Sequence, residues 1–168
     1  DVQLWERTDR LGGTLLQAGE PDFKKDVLLL VDYLVNKTFR SGVKVRLLKE
    51  AAAEEIIKGN FDKVVLAAGS KALLPNIAGI EGENVKTSQQ ILLGDAFGKK
   101  AVVIGGGLVG CETAAYMSQR GSEVSIVEIL PEILMTADHC RNNDQALRDL
   151  LCSCNIGIVA GAKVTDIS

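Results

Sequence analysis

The run Val102-Val103-Ile104-Gly105-Gly106-Gly107-Leu108-Val109-Gly110 limits what this chain can fold into more than any other stretch. Gly105, Gly107 and Gly110 form G-x-G-x-x-G, directly after a strand-like apolar run and at the mouth of a helical pattern. In a strand–turn–helix unit the first glycine permits the tight turn and the second lets backbone approach a diphosphate. The third lets the helix pack closely on the strand. The helix start adds unpaired N–H groups and a partial positive charge, both suited to phosphate. A bare triplet is a weak signal, and a glycine-rich turn with no ligand is its plain alternative. Glu128 strengthens the ligand reading, because it ends the next strand-like run, 18 residues beyond Gly110. A carboxylate there accepts hydrogen bonds from both hydroxyls of an adenosine ribose, whereas a 2′-phosphate would meet a like charge. The residues that follow, Ile129-Leu130-Pro131-Glu132, supply no arginine to hold such a phosphate. The expected ligand is therefore NAD(H) rather than NADP(H), held by Gly105, Gly106, Gly107, Leu108, Val109, Gly110 and Glu128. Glu112 is placed in the first turn of the same helix. It either complements the helix dipole or lies near the nicotinamide carboxamide.

The rest of the chain alternates strand-like and helix-like patterns, the rhythm of an α/β fold with Rossmann-like parallel sheets. Aromatic residues are only 4% of the chain, so its core must be aliphatic, as suits parallel strands buried on both faces. Residues 2–6 read as a strand, and apolar residues from Val27 to Phe39 recur at helical spacing until Gly42. Val43, Val45 and Leu47 alternate with Lys44 and Arg46 as in a strand, and residues 51–58 suggest a short helix. Residues 63–67 read as a further strand leading into Ala68-Gly69-Ser70. Pro75, Gly79 and Gly82 mark a connection, with a short helix at residues 88–92. Beyond it the pattern predicts strands at 101–104, 123–128, 156–159 and 162–167, with helices at 108–120 and 143–154. A boundary in the connection divides the chain into domains at 1–84 and 85–168.

The net charge of −3 gives no electrostatic reason to expect nucleic acid or an anionic membrane as partner. No apolar run approaches the roughly 18 residues that a membrane span requires. The first residues resemble no targeting peptide, and without an initiator Met the chain is expected to start inside a longer one. The cysteines Cys111, Cys140, Cys152 and Cys154 contain no C-x-x-C, and His139 is the single histidine, so no metal site is expected. A reducing cytoplasm is the simplest compartment.

Three stretches together resemble the tandem FAD/NAD-binding flavoproteins, and most nearly the C-terminal region of the NADH:flavin oxidoreductase, 2-enoate reductase and 2,4-dienoyl-CoA reductase family. Glu6-Arg7-Thr8-Asp9-Arg10-Leu11-Gly12-Gly13 looks like the end of the FAD domain's second strand and its loop. Lys63 to Ser70 resembles that domain's "ATG" strand, with Pro75 and Gly79-Ile80-Glu81-Gly82 in the turn expected after it. Ile104 to Thr113 is similar to the NAD-domain fingerprint. The resemblance implies that Glu6 binds the FAD ribose, with an exposed strand-end carboxylate as the alternative. It further implies that Gly12 and Gly13 lie beside the flavin diphosphate, that Ala51 meets the adenine, and that Ala68 and Gly69 pass the dinucleotide. Residues 1–84 would then be a partial FAD-binding domain without its glycine-rich strand–turn–helix. Residues 85–168 would be an NAD(H)-binding domain cut short at its C-terminus.

The family's FMN barrel and 4Fe–4S cluster are expected in the missing N-terminal part, and none of the four cysteines is assigned to the cluster. Disulfide reductases of the same superfamily carry C-x4-C after Gly-Gly-Thr. Here Leu15 and Glu20 take those places, so thiol–disulfide exchange is not expected. The resemblance implies an intact enzyme in which hydride passes from NADH to FAD and on to an FMN/Fe–S module reducing an unsaturated substrate. No side chain in this chain stands out as acid, base or nucleophile, so the chain alone is expected to be inactive. The alternative is an ADP-binding structural module without hydride transfer, as in trimethylamine-dehydrogenase-like proteins. Partners would be the chain's own missing segments, and bare strand edges would allow two copies to pair as a homodimer.

Overall fold

A computed structural model describes residues 1–135 and 141–168. His139 and Cys140 lie outside the described residues. The chain forms two compact units, Asp1–Lys71 and Ala72–Ser168.

In the first unit β1 (Gln3–Trp5) and β2 (Lys44–Arg46) pair in parallel, with Leu4 opposite Val45. Parallel neighbours need a crossover. It is supplied by α1 (Thr14–Ala18), a 3-10 turn and the longer α2 (Asp26–Arg40). Gly42, with φ of 79°, turns the chain from α2 into β2. Val31 of α2 is buried, while Leu29, Leu30, Tyr33 and Leu34 remain exposed. After β2, the Lys49 ammonium lies 5.1 Å above the Trp5 ring, and Phe61 meets that ring edge-on at 6.0 Å. The last helix of this unit is α3 (Ala53–Lys58).

The second unit holds almost all of the buried apolar core. It opens with α4 (Ser88–Leu92), fixed by a reciprocal cap in which Thr87 and Gln90 bond to each other's backbone N–H. Then β3 (Lys100–Ile104), α5 (Leu108–Gln119), β4 (Glu123–Val127), α6 (Arg141–Ser153) and β5 (Gly157–Val159) follow in order. The strands form a parallel sheet of order β3-β4-β5. Val124 and Ile126 of β4 are buried beside Ala114 and Ala115 of α5. Alanines at that contact let helix and sheet approach closely, and the α/β reading of the sequence holds. Leu147 and Leu151 of α6 and Ile156 complete the cluster.

Two expected strands do not form. Residues 63–67 carry no ladder partner among the described residues, and Val65 and Leu66 are 87% and 84% exposed. An apolar run specifies an extended segment, but a strand also needs a neighbour for its N–H and C=O groups. Among the described residues, 162–167 make only one parallel bridge, between Ala78 and Asp166, with the Ile167 N–H donating to the Ala78 carbonyl at 2.9 Å. No helix among the described residues is long and apolar enough to cross a membrane.

Candidate dinucleotide site

The glycine turn sits where β3 passes into α5. The Gly105 N–H donates to the Val127 carbonyl at 2.9 Å, which ties the turn's first residue to the end of β4. Gly105 has φ of 104°, a left-handed conformation that a side chain would resist. Gly110 is fixed by packing instead, since a Cβ there would stand 2.0 Å from the Gly105 carbonyl oxygen. Gly107 is the N-cap of α5, with φ of −74° and ψ of −178°. Any residue adopts that conformation, and a Cβ there would meet nothing within 4 Å.

Glu128 follows β4 and is 7% exposed. Its Oε2 accepts the Gly106 N–H at 2.5 Å and its Oε1 accepts the Leu130 N–H at 2.8 Å. Each carboxylate oxygen has a further lone pair for another donor. Gly105, Gly106, Gly107, Leu108, Val109, Gly110 and Glu128 thus form one constellation. A groove of about 1110 Å³ runs along β3, with Val102, Ile104, Gly105, Gly107 and Gly110 in its wall. Gly106 and Glu128 are not among its walls.

Glu112 differs from the sequence reading. It is the fifth residue of α5, and the first turn of that helix carries no acid. A dipole effect fades beyond the first turn, so that explanation of Glu112 loses its basis. Cys111, buried one residue earlier, places its Sγ 3.4 Å from the Gly106 carbonyl oxygen. Burial pushes its thiol up to about 11, which keeps it protonated and makes it a packing residue.

The contacts that sequence reasoning missed lie beyond Glu128. The Leu134 N–H donates to the Gly106 carbonyl at 2.8 Å, and Ile133 packs so closely that a Cβ on Gly106 would lie 2.6 Å from it. Arg148 of α6 donates to the Ile133 carbonyl at 2.8 Å. The only readable trace of this was the i, i+4 spacing of Asp144 and Arg148, which pair at 3.4 Å.

In the first unit Glu6 follows β1, and its Oε1 accepts both the Thr8 N–H at 2.7 Å and the Thr8 hydroxyl at 2.8 Å. These bonds, the backbone one foremost, hold its carboxyl below the ordinary carboxylate range. A depressed folded value means that the bonds stabilise the fold above the ordinary carboxylate range. That contribution is lost as pH falls through the folded value. Thr8→Val is expected to move the Glu6 titration, followed by carboxyl carbon NMR, upward toward the ordinary value. An unchanged midpoint would contradict these contacts. Gly12 and Gly13 lie between β1 and α1 with φ of 126° and 50°. A Cβ on Gly12 would approach Leu16 to 2.9 Å, whereas Gly13 faces open space. Ala51 is exposed just before α3, and Ala68 and Gly69 are exposed beyond residues 63–67. Among the described residues no three His, Cys, Asp or Glu side chains gather as metal ligands would.

The family model described as pyridine nucleotide-disulphide oxidoreductase matches residues 24–168. A cinnamate reductase of Clostridium sporogenes is 36% identical over 98% of this chain and 25% of its own length. An NADH oxidase of Thermoanaerobacter brockii is 42% identical over 79% of this chain and 21% of its own length. Among solved structures, a 2-naphthoyl-CoA reductase superposes with a TM-score of 0.92 at 28% identity, over 100% of this chain and 25% of that one. The resemblance drawn from the three stretches and the expected fold class are both borne out. The chain spans about a quarter of the length of these relatives.

Proposed function

The chain belongs to the pyridine nucleotide-disulphide oxidoreductase family, and from that premise we propose that its second unit holds the ADP half of NAD(H). One observation carries this reading. Neither the conformation of Gly107 nor its packing requires a glycine. Asp, Asn or Ser would cap α5 better. A bare backbone at a helix start with open space before it is what a closely approaching diphosphate needs. The amides at the start of α5 would hold the diphosphate, and the remaining lone pairs of Glu128 would take the ribose hydroxyls. The buried carboxylate sets a like charge against a 2′-phosphate, which favours NAD(H) over NADP(H).

Glu6, Gly12, Gly13, Ala51, Ala68 and Gly69 would lie along FAD, with Gly13 offering the same open approach as Gly107. Bound along these residues, NAD(H) would supply a hydride and FAD would be its acceptor. In this reading the task of the named residues is to bind and orient the two cofactors. For the protein that carries it, the reading is an oxidoreductase passing electrons from NADH through FAD to an FMN/Fe–S module that reduces an unsaturated substrate. The names of the relatives, all reductases or oxidases, support the oxidoreductase part of this reading.

Calorimetric titration of the chain with NADH, ADP and NADPH tests the assignment. NADH and ADP are expected to bind with similar affinity, and NADPH at least about tenfold more weakly, for one unpaired like charge at a desolvated site. Equal affinity for NADPH would remove the role given to Glu128.

A further inference from the structure

We propose that Arg148 is a positioning residue for the glycine turn, aiming the Gly107 amide outward through the segment that follows Glu128. The inference rests on the nucleotide reading above and assigns a task to a helix remote in sequence from the turn.

The peptide plane between Gly106 and Gly107 is held from its carbonyl side. The Gly106 carbonyl accepts the Leu134 N–H at 2.8 Å, and the Cys111 thiol lies 3.4 Å from the same oxygen. No peptide bond in the described chain is cis. In a trans peptide the C=O and the following N–H point in opposite directions. Pinning the Gly106 oxygen against Leu134 therefore turns the Gly107 N–H the other way, away from Leu134 and the core cluster to which it belongs. A glycine pair has little intrinsic preference for either orientation of that plane. The partner of its carbonyl therefore decides.

Leu134 is an unusual partner. Its φ is 65°, in the left-handed region that leucine avoids, and it is 3% exposed. A residue stays in that region only when its surroundings over-determine it. Here the side chain is buried in the core and the N–H is held by Gly106. The preceding carbonyl, that of Ile133, accepts the Arg148 guanidinium at 2.8 Å. Arg148 is in turn oriented by Asp144 of the same helix, at 3.4 Å. Its planar fork serves both partners at once, which a lysine ammonium on a flexible stem does less well. The chain of contact runs from Arg148 to Ile133, to the Leu134 amide, to the Gly106 carbonyl, and so to the Gly107 donor.

Two readouts on the full chain separate this role from general stability. Hydrogen exchange without nucleotide reads the brace directly. In Arg148→Met, the Leu134 amide is expected to exchange about tenfold faster, the scale of one lost charge-assisted hydrogen bond. Amides in the core of α5 should keep their protection. Unchanged protection of Leu134 would overturn the brace.

The second readout compares ADP with adenosine, which lacks the diphosphate. Arg148→Met is expected to bind ADP about tenfold more weakly with adenosine affinity unchanged. Equal losses for both ligands, or no loss for either, would overturn the positioning role. Should the methionine variant fail to fold, Arg148→Lys decides, since it keeps stem and charge but not the fork. A several-fold loss for ADP alone supports the role, and wild-type affinity overturns it. An unaltered chain that binds no ADP takes down the nucleotide reading and the aim of the Gly107 amide with it. The exchange result would still judge the brace by itself.

Discussion

Gly107→Asp is expected to raise the thermal midpoint of the chain slightly while abolishing NADH binding. The stability gain follows from position. Residue 107 is the N-cap of α5, in the extended conformation that N-caps adopt, and a side chain there meets no neighbour. An aspartate caps the open N–H groups and complements the helix dipole, worth about 0.5 kcal/mol over glycine, or ~1–2 °C for a chain of this size. The loss of binding follows from chemistry. The new carboxylate occupies the approach proposed for the diphosphate, takes its amide donors and opposes its charge. Losing such bonds and adding repulsion is expected to cost at least about 3 kcal/mol, more than a hundredfold in affinity. Opposite signs for stability and binding make the result hard to mimic by misfolding. Scanning calorimetry and a NADH titration of one preparation check both. A variant that still binds NADH would show that no phosphate approaches Gly107.

Gly110→Ala is expected to act with the other sign on stability. Alanine in a helix gains about 1 kcal/mol over glycine where nothing opposes it. Here its Cβ would stand 2.0 Å from the Gly105 carbonyl oxygen and 3.1 Å from the carbonyl carbon. The obstacle is backbone, and Gly105 is itself tied to Val127 at 2.9 Å, so it cannot swing aside like the tip of a side chain. Overpacking against rigid backbone costs about 3 kcal/mol, which exceeds the propensity gain and leaves a net loss of ~2 kcal/mol. For this chain length the midpoint should fall by about 4–8 °C, with nucleotide affinity falling as the turn is displaced. An unchanged or higher midpoint in a thermal scan would mean that α5 and β3 are farther apart than the structure places them. The two glycines thus serve different ends, one the fold and one the open approach.

The β3–α5–β4 unit was legible in the sequence because its signals are local. The glycine spacing, the apolar runs before Gly105 and the acid ending the next run all fall within one short stretch. The α2 helix was legible from its apolar spacing, and β2 from strict alternation. What failed depends on partners. Residues 63–67 and 162–167 read as strands because apolar runs favour extended chain, yet pairing is decided by what lies alongside. Glu112 was misplaced by less than a turn, since the helix starts at Leu108 and its first turn closes before residue 112. The clamp of Ile133, Leu134 and Arg148 on Gly106 was out of reach. Nothing in the order of residues tells that a leucine will adopt a left-handed conformation, or that its amide will meet a glycine 28 positions earlier.

The central claim is that the backbone between β3 and α5, with the Glu128 carboxylate, receives an adenosine diphosphate. Titrating isotope-labelled chain with ADP and following each amide by NMR tests it most directly. The largest shifts are expected at Gly106, Gly107, Leu108 and Val109, with a smaller response at Glu128 and Leu130, all saturating with one affinity. Saturable ADP binding that leaves those amides unmoved, or shifts confined to the first unit, would contradict it.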